Sequence, residues 1–190
     1  MNPDYQKIKP ATLPPLVILD RDGVINHDSD AYIKSVDEWA PIEGSIEAIA
    51  RLCRRGIKVA VATNQSGLAR GLFDEAVLGQ IHNKMRVAIQ AAGGELAGVF
   101  YCPHGPEEGC SCRKPGTGLI VQIAEQLQVD PRGVPLVGDA LRDLQAASAA
   151  GCLPVLVKTG KGNITLGSTL LDPAIPVFDD LSAFVDFWLS

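Results

Sequence analysis

The sequence predicts an α/β protein built on a doubly wound parallel sheet. Short continuous apolar runs recur along the chain, amphipathic helical stretches separate them, and nearly every run ends in a polar cluster. A strand covered by helices on both faces must be apolar throughout, and right-handed crossovers leave the carboxyl ends of the strands on one ligand-binding rim. At 190 residues, 46% hydrophobic and 21% charged, the chain suffices for one domain with its own core. That domain is expected over residues 16–190, behind a flexible, proline-rich leader over 1–15.

The elements follow in order. Leu16-Val17-Ile18-Leu19 reads as the first buried strand. Ile46, Ile49, Ala50 and Cys53 repeat at helical spacing up to Gly56, which suits a left-handed helix end. Val59-Ala60-Val61-Ala62 is the second strand, and Asp74 caps a helix carrying Val77, Ile81, Met85 and Ala88. On this phase His82 faces solvent. Val99-Phe100-Tyr101 is a third strand, and a helix with Ile120, Ile123, Ala124 and Leu127 follows. Leu136-Val137 and Val155-Leu156-Val157 flank an Ala-rich helix near 141–150. Val177-Phe178 and a Ser182-capped helix close the chain.

Charge and apolar patterning narrow the class. Lys+Arg is 17 against Asp+Glu 22, a net charge of −5, which argues against nucleic acid or an anionic membrane as partner. The sequence has neither a signal-peptide pattern nor an apolar run of roughly 18 residues, so a soluble, cytoplasmic monomer is expected. No Gly-x-Ser-x-Gly or Gly-x-Gly-x-x-Gly supports a serine hydrolase or a dinucleotide binder, and Thr159-Gly-Lys161-Gly lacks the upstream glycine of a Walker loop.

Polar clusters follow the apolar strands: Asp20-Arg21-Asp22-Gly23, Thr63-Asn64-Gln65-Ser66 and Gly138-Asp139 with Asp143; Arg113-Lys114 adds a cationic pair. Asp20 and Asp22 lie two apart, so both lean to one side of an extended segment and Arg21 points away. An ionised carboxylate of such a pair can attack phosphorus, while a protonated one donates to the leaving oxygen. Magnesium held by Asp20, the Asp22 carbonyl and Asp139 would supply positive charge, and Lys114 adds a point charge. Thr63 and backbone donors near Asn64 can bind phosphoryl oxygens.

Five cysteines are present, three of them clustered. Cys102, His104, Cys110 and Cys112 make a three-Cys, one-His set suited to a closed tetrahedral zinc site, and Gly105, Pro106 and Gly109 favour the loop such a site needs. Zinc there would be structural, fixing the segment that delivers Arg113 and Lys114. Cys53 and Cys152 read as core residues.

In order and spacing, Asp20-Arg21-Asp22-Gly23, Thr63, Lys114 and Gly138-Asp139-x-x-x-Asp143 resemble the four motifs of the haloacid dehalogenase-like phosphatases. The resemblance implies that fold, without a large cap domain. It makes Asp20 the nucleophile, Asp22 the acid/base, Thr63 and Lys114 phosphoryl stabilisers, and Asp139 the outer magnesium ligand supported by Asp143. Thr63-Asn-Gln-Ser-Gly-Leu-Ala-Arg-Gly71, Cys-Pro-His104 and Cys-x-Cys-Arg-Lys-Pro115 narrow it further. They are similar to the D-glycero-D-manno-heptose 1,7-bisphosphate 7-phosphatases of bacterial heptose-nucleotide and lipopolysaccharide precursor synthesis. Lys114-Pro-Gly-Thr-Gly118 stands where that family has Lys-Pro-x-Pro-Gly.

This resemblance implies a sugar bisphosphate substrate. It places Arg113 on the second phosphate or sugar end, and a flap of Asp28, Ser29, Asp30 and Ala31 over the chain bearing the scissile phosphate. It extends the substrate contacts to Arg21, Asn64, Gln65, Ser66 and Ala140. Histidinol-phosphate phosphatases are the nearest alternative. A phospho-Asp receiver domain is the alternative of a different class, although Asp22 offers it an unwanted route to turnover.

Overall fold

The computed structural model describes residue 10 and residues 12–190, so most of the expected leader lies outside the described residues. The elements run β1 (Leu16–Leu19), α1 (Ser45–Arg54), β2 (Lys58–Asn64), α2 (Glu75–Ala91), β3 (Leu96–Cys102), α3 (Gly118–Leu127), β4 (Pro135–Gly138), α4 (Leu141–Ala149), β5 (Leu153–Val157), α5 (Gly162–Leu166), β6 (Val177–Phe178) and α6 (Leu181–Leu189). The strands form one sheet in the order β3-β2-β1-β4-β5-β6, with every neighbouring pair parallel. The chain leaves β1 towards β2 and later returns to β4 on its other side. The crevice between the β1 and β4 ends is therefore the topological switch point, where this architecture binds ligands.

Strand alternation divides the core between the two faces. Val17 and Leu19 of β1 join Ile49 and Leu52 of α1, Ile81 and Met85 of α2, and Phe184 and Trp188 of α6 on one face. Leu16 and Ile18 join Leu119, Ile120 and Ile123 of α3 and Ala146 and Ala147 of α4 on the other. Burying all four β1 residues holds the strand ends rigid beneath the polar rim.

Local signals set most boundaries. Asp74 Oδ1 accepts the Val77 N–H (2.8 Å) at the start of α2, and Gly56 follows α1 with φ 74°. At α6 the structure differs from expectation. The cap is Asp180, whose Oδ1 accepts the Ala183 N–H (2.7 Å), because β6 ends at Phe178 and the helix starts directly after it. Helix α2 is rotated from the expected phase, burying Leu78, Ile81, His82, Met85 and Ile89, so His82 is internal.

Candidate active site

Asp20 follows β1, Thr63 and Asn64 end β2, and Asp139 follows β4, so three adjacent strands deliver their polar ends to one place. Asp20, Thr63 and Asn64 open onto a cavity of about 180 Å³. Its lining includes Asp20, Asp22, Asp28, Ser29, Asp30, Thr63, Asn64, Gln65, Ser66 and Arg113.

Lys114 is the electrostatic hub. Its ammonium lies 3.0 Å from Asp20 Oδ1 and 2.7 Å from Asp143 Oδ1, and it donates to the Ala62 carbonyl at 2.7 Å. Asn64 holds the Lys114 backbone at both ends: Oδ1 accepts its N–H (3.0 Å) and Nδ2 donates to its carbonyl (3.1 Å). Burial pushes Asp20 up to about 6 against the pull of Lys114, with Asp143 adding to the rise. Burial and the neighbouring Asp20 and Asp143 push Asp139 up to about 8.

Asp22 differs in environment. Arg21 Nε and Nη2 reach its two oxygens at 3.0 and 2.9 Å, while Asn26 Nδ2 (2.9 Å) and Gln65 Nε2 (3.0 Å) donate as well. Burial opposes its ionisation, but Arg21 and these hydrogen bonds hold the carboxyl below the usual range. Strand alternation would point Arg21 away from Asp22, but its long side chain folds back onto that carboxylate. Gln65 Nε2 also donates to Thr63 Oγ1 (2.9 Å), linking the two strand ends.

The acidic cluster fits a divalent cation. One carboxylate oxygen each from Asp20, Asp139 and Asp143 lies within 4.8 Å of the others. Asp139 Oδ2 is held by the Lys161 N–H at 2.7 Å, whereas the buried Oδ1 has no hydrogen-bond partner. A buried carboxylate oxygen of this kind suits a hard cation. Ala140 sits behind this cluster, its N–H given to Asp143 Oδ2 (3.0 Å).

The second cluster also assembles. Sγ of Cys102 lies 3.6 Å from His104 Nδ1 and 3.6 Å from Cys110 Sγ. Sγ of Cys112 lies 3.2 Å from Cys102 Sγ, 3.5 Å from Cys110 Sγ and 3.3 Å from His104 Nδ1. Tetrahedral zinc with Zn–S near 2.3 Å places its sulfurs about 3.8 Å apart, so the four donors fit with little adjustment. Arg113 Nη1 donates to the His104 carbonyl (3.2 Å), tying its guanidinium to this loop at the cavity wall.

Sequence reasoning missed several cavity residues. Arg142 and Lys161 both line it, and Lys161 Nζ lies 3.4 Å from Asp28 and 3.2 Å from Asp30, pinning the flap. Thr159 Oγ1 donates to the Gly23 carbonyl at 2.6 Å. The segment set aside as a failed nucleotide loop thus braces the Asp20–Gly23 turn.

Comparison with known proteins decides the family. A HAD-hydrolase-like family model matches residues 111–184. The D-glycero-beta-D-manno-heptose-1,7-bisphosphate 7-phosphatase of Pseudomonas aeruginosa is 58% identical over 168 residues, covering 88% of this chain and 94% of the relative. This chain belongs to that enzyme family. Its Bordetella bronchiseptica member is 55% identical over 171 residues, 90% of this chain and 96% of the relative. The crystal structure of the D,D-heptose 1,7-bisphosphate phosphatase from B. bronchiseptica, complexed with magnesium and phosphate, superposes with a TM-score of 0.89, covering 92% of this chain and 97% of that one. The heptose phosphatase of Burkholderia thailandensis is 46% identical, with a TM-score of 0.73 and coverage of 92% and 98%. The haloacid dehalogenase-like fold expected from the motifs is thus the fold observed.

Proposed function

We propose that the chain is a magnesium-dependent phosphatase that removes the 7-phosphate of D-glycero-beta-D-manno-heptose 1,7-bisphosphate through an aspartyl-phosphate, in bacterial heptose-nucleotide precursor synthesis. The observation that carries the reading is that Asp20, Asp22 and Thr63 line one cavity while Lys114, 3.0 Å from Asp20, and Asp139, with an oxygen within 4.8 Å of one of Asp20, stand against the same carboxylate, in a chain of this family. Asp20 attacks phosphorus as the P–O7 bond breaks, and Asp22 passes a proton to the departing O7. Water then attacks the phosphoryl group, giving its proton to Asp22, and inorganic phosphate leaves with Asp20 regenerated. Asp22 is anionic before substrate binds. The incoming phosphate dianion beside it favours uptake of the proton the first step needs. Thr63 and Lys114 stabilise the phosphoryl oxygens, and Arg113 forks onto the 1-phosphate.

Magnesium, held by Asp20, Asp139 and the Asp22 carbonyl, would neutralise charge on the transferring group. Zinc, held by Cys102, His104, Cys110 and Cys112, would fix the loop beneath Arg113 and Lys114. Among the described residues, no helix is long and apolar enough to cross a membrane.

The test is phosphate release with magnesium from both anomers of the heptose bisphosphate and from histidinol phosphate. The reading expects the highest kcat/KM for the beta anomer. Preference for histidinol phosphate would overturn the substrate while keeping the chemistry. For the zinc loop, Cys112→Ala is expected to abolish zinc in metal analysis and lower Tm by about 5–10 °C, through lost loop order. Wild type purified without zinc at full activity and stability would refute the structural metal.

A further inference from the structure

The environment of Arg21 contains one group the mechanism above does not use. His82, on α2, is 8% exposed, and its Nε2 lies 3.2 Å from Arg21 Nη1. A guanidinium only donates, so Nε2 is the acceptor and the ring is neutral with its proton on Nδ1. Burial, with Arg21 and Arg86 nearby, pushes His82 down to about 3, which keeps the ring neutral at any working pH. Tyr101 of β3 packs against it with ring centroids 5.9 Å apart, so the imidazole is held from the strand side too.

Arg21 itself is 1% exposed. Its Nε and Nη2 engage Asp22, Nη2 also reaches Gln65 Oε1 at 3.1 Å, and Nη1 is left to His82. Among the described residues, the bond to His82 is the only one of that guanidinium anchored outside the turn after β1 and the turn after β2. It fixes the far edge of the planar fork, and a planar fork fixed at its far edge fixes the carboxylate held in its mouth.

We infer that His82 is a positioning residue that acts through Arg21 to aim the Asp22 carboxyl at the leaving-group oxygen. The inference rests on the acid/base reading of Asp22. Without the ring nitrogen, Nη1 loses its buried acceptor and the fork can tilt, displacing the acid by a fraction of an ångström to an ångström. Proton donation is steeply sensitive to such a displacement.

The distinguishing experiment compares leaving groups. A sugar alkoxide leaves poorly and needs the proton, whereas p-nitrophenolate leaves with little help. Since kcat/KM reports on steps up to the first irreversible one, a defect in the acid lowers it selectively for the sugar phosphate. For His82→Ala, kcat/KM for the heptose bisphosphate is expected to fall about 10- to 100-fold, while that for p-nitrophenyl phosphate falls at most about threefold. His82→Gln, whose amide oxygen can accept from Nη1, should restore most of the loss.

Asp22→Asn, run in parallel, must show the same selectivity more strongly. If Asp22→Asn is selective and His82→Ala is not, or if His82→Gln fails to rescue while folding with the wild-type Tm, the inference is wrong and the role of Asp22 stands. If Asp22→Asn loses both substrates equally, the acid role of Asp22 falls and the inference falls with it. Equal losses on both substrates for His82→Ala, tracking a drop in Tm, would mark a merely structural histidine.

Discussion

Replacing Asp20 by Asn is expected to lower kcat by at least about 10⁴-fold, the scale on which enzymes lose an essential nucleophile, while leaving the fold intact. The amide is isosteric, and its oxygen can still accept what Asp20 Oδ1 accepts now, the Arg21 N–H at 2.7 Å and the Lys114 ammonium at 3.0 Å. Removing the charge also relieves crowding, because Asp139 and Asp143 lie close by and Asp20 is already pushed up to about 6 by burial. The metal-free variant should therefore match or slightly exceed the wild-type Tm. Rapid-quench analysis would show no burst of the dephosphorylated sugar and no acid-stable phosphoprotein. Turnover within tenfold of wild type would remove Asp20 as the nucleophile.

The site was readable from sequence where chemistry and strand coincide. Asp20, Thr63 and Asp139 directly follow or end apolar runs, and a parallel sheet must gather such positions on one rim. Cys102 to Cys112 was readable for a similar reason: its four donors are close in sequence and the loop between them is short. His82 was not, because α2 carries two overlapping apolar phases. Val77, Ile81, Met85 and Ala88 define one, while Leu78, Ile81, His82, Met85 and Ile89 define the other, which packing selects. Periodicity alone cannot choose between them.

Arg142 and Lys161 were missed for another reason. A charged residue in a helix's first turn or in a loop reads as solvated. Both enter the cavity because β4 lies beside β1, a pairing of residues far apart in sequence, and β5 lies beside β4. Arg21 defeated the alternation argument because its side chain is long enough to return to Asp22 from the opposite side.

Lys114→Met should be the most destabilising single change in the site. The lysine side chain is fully buried between Asp20 and Asp143. Burial alone would lower its proton affinity, yet the two carboxylates raise it above the ordinary range, so the ammonium is charged throughout the working pH range. Methionine fills the volume but leaves two buried carboxylates without their counter-ion, a loss of about 3–5 kcal/mol when one member of a buried ion pair is removed.

The sign of the pH dependence follows from the same groups. Asp20 already has a folded-state value of about 6, above the ordinary 3.8. It therefore takes stability away as pH rises through that interval, since the folded state binds more protons than the unfolded one. Without Lys114 this window extends upward. The deficit of the variant in magnesium-free urea unfolding should thus be clearly smaller at pH 5.5 than at pH 8. Added magnesium, which can compensate the same carboxylates, should recover part of the loss at pH 8. An equal deficit at both pH values, unmoved by magnesium, would mean that Lys114 stabilises the fold through packing and not through charge.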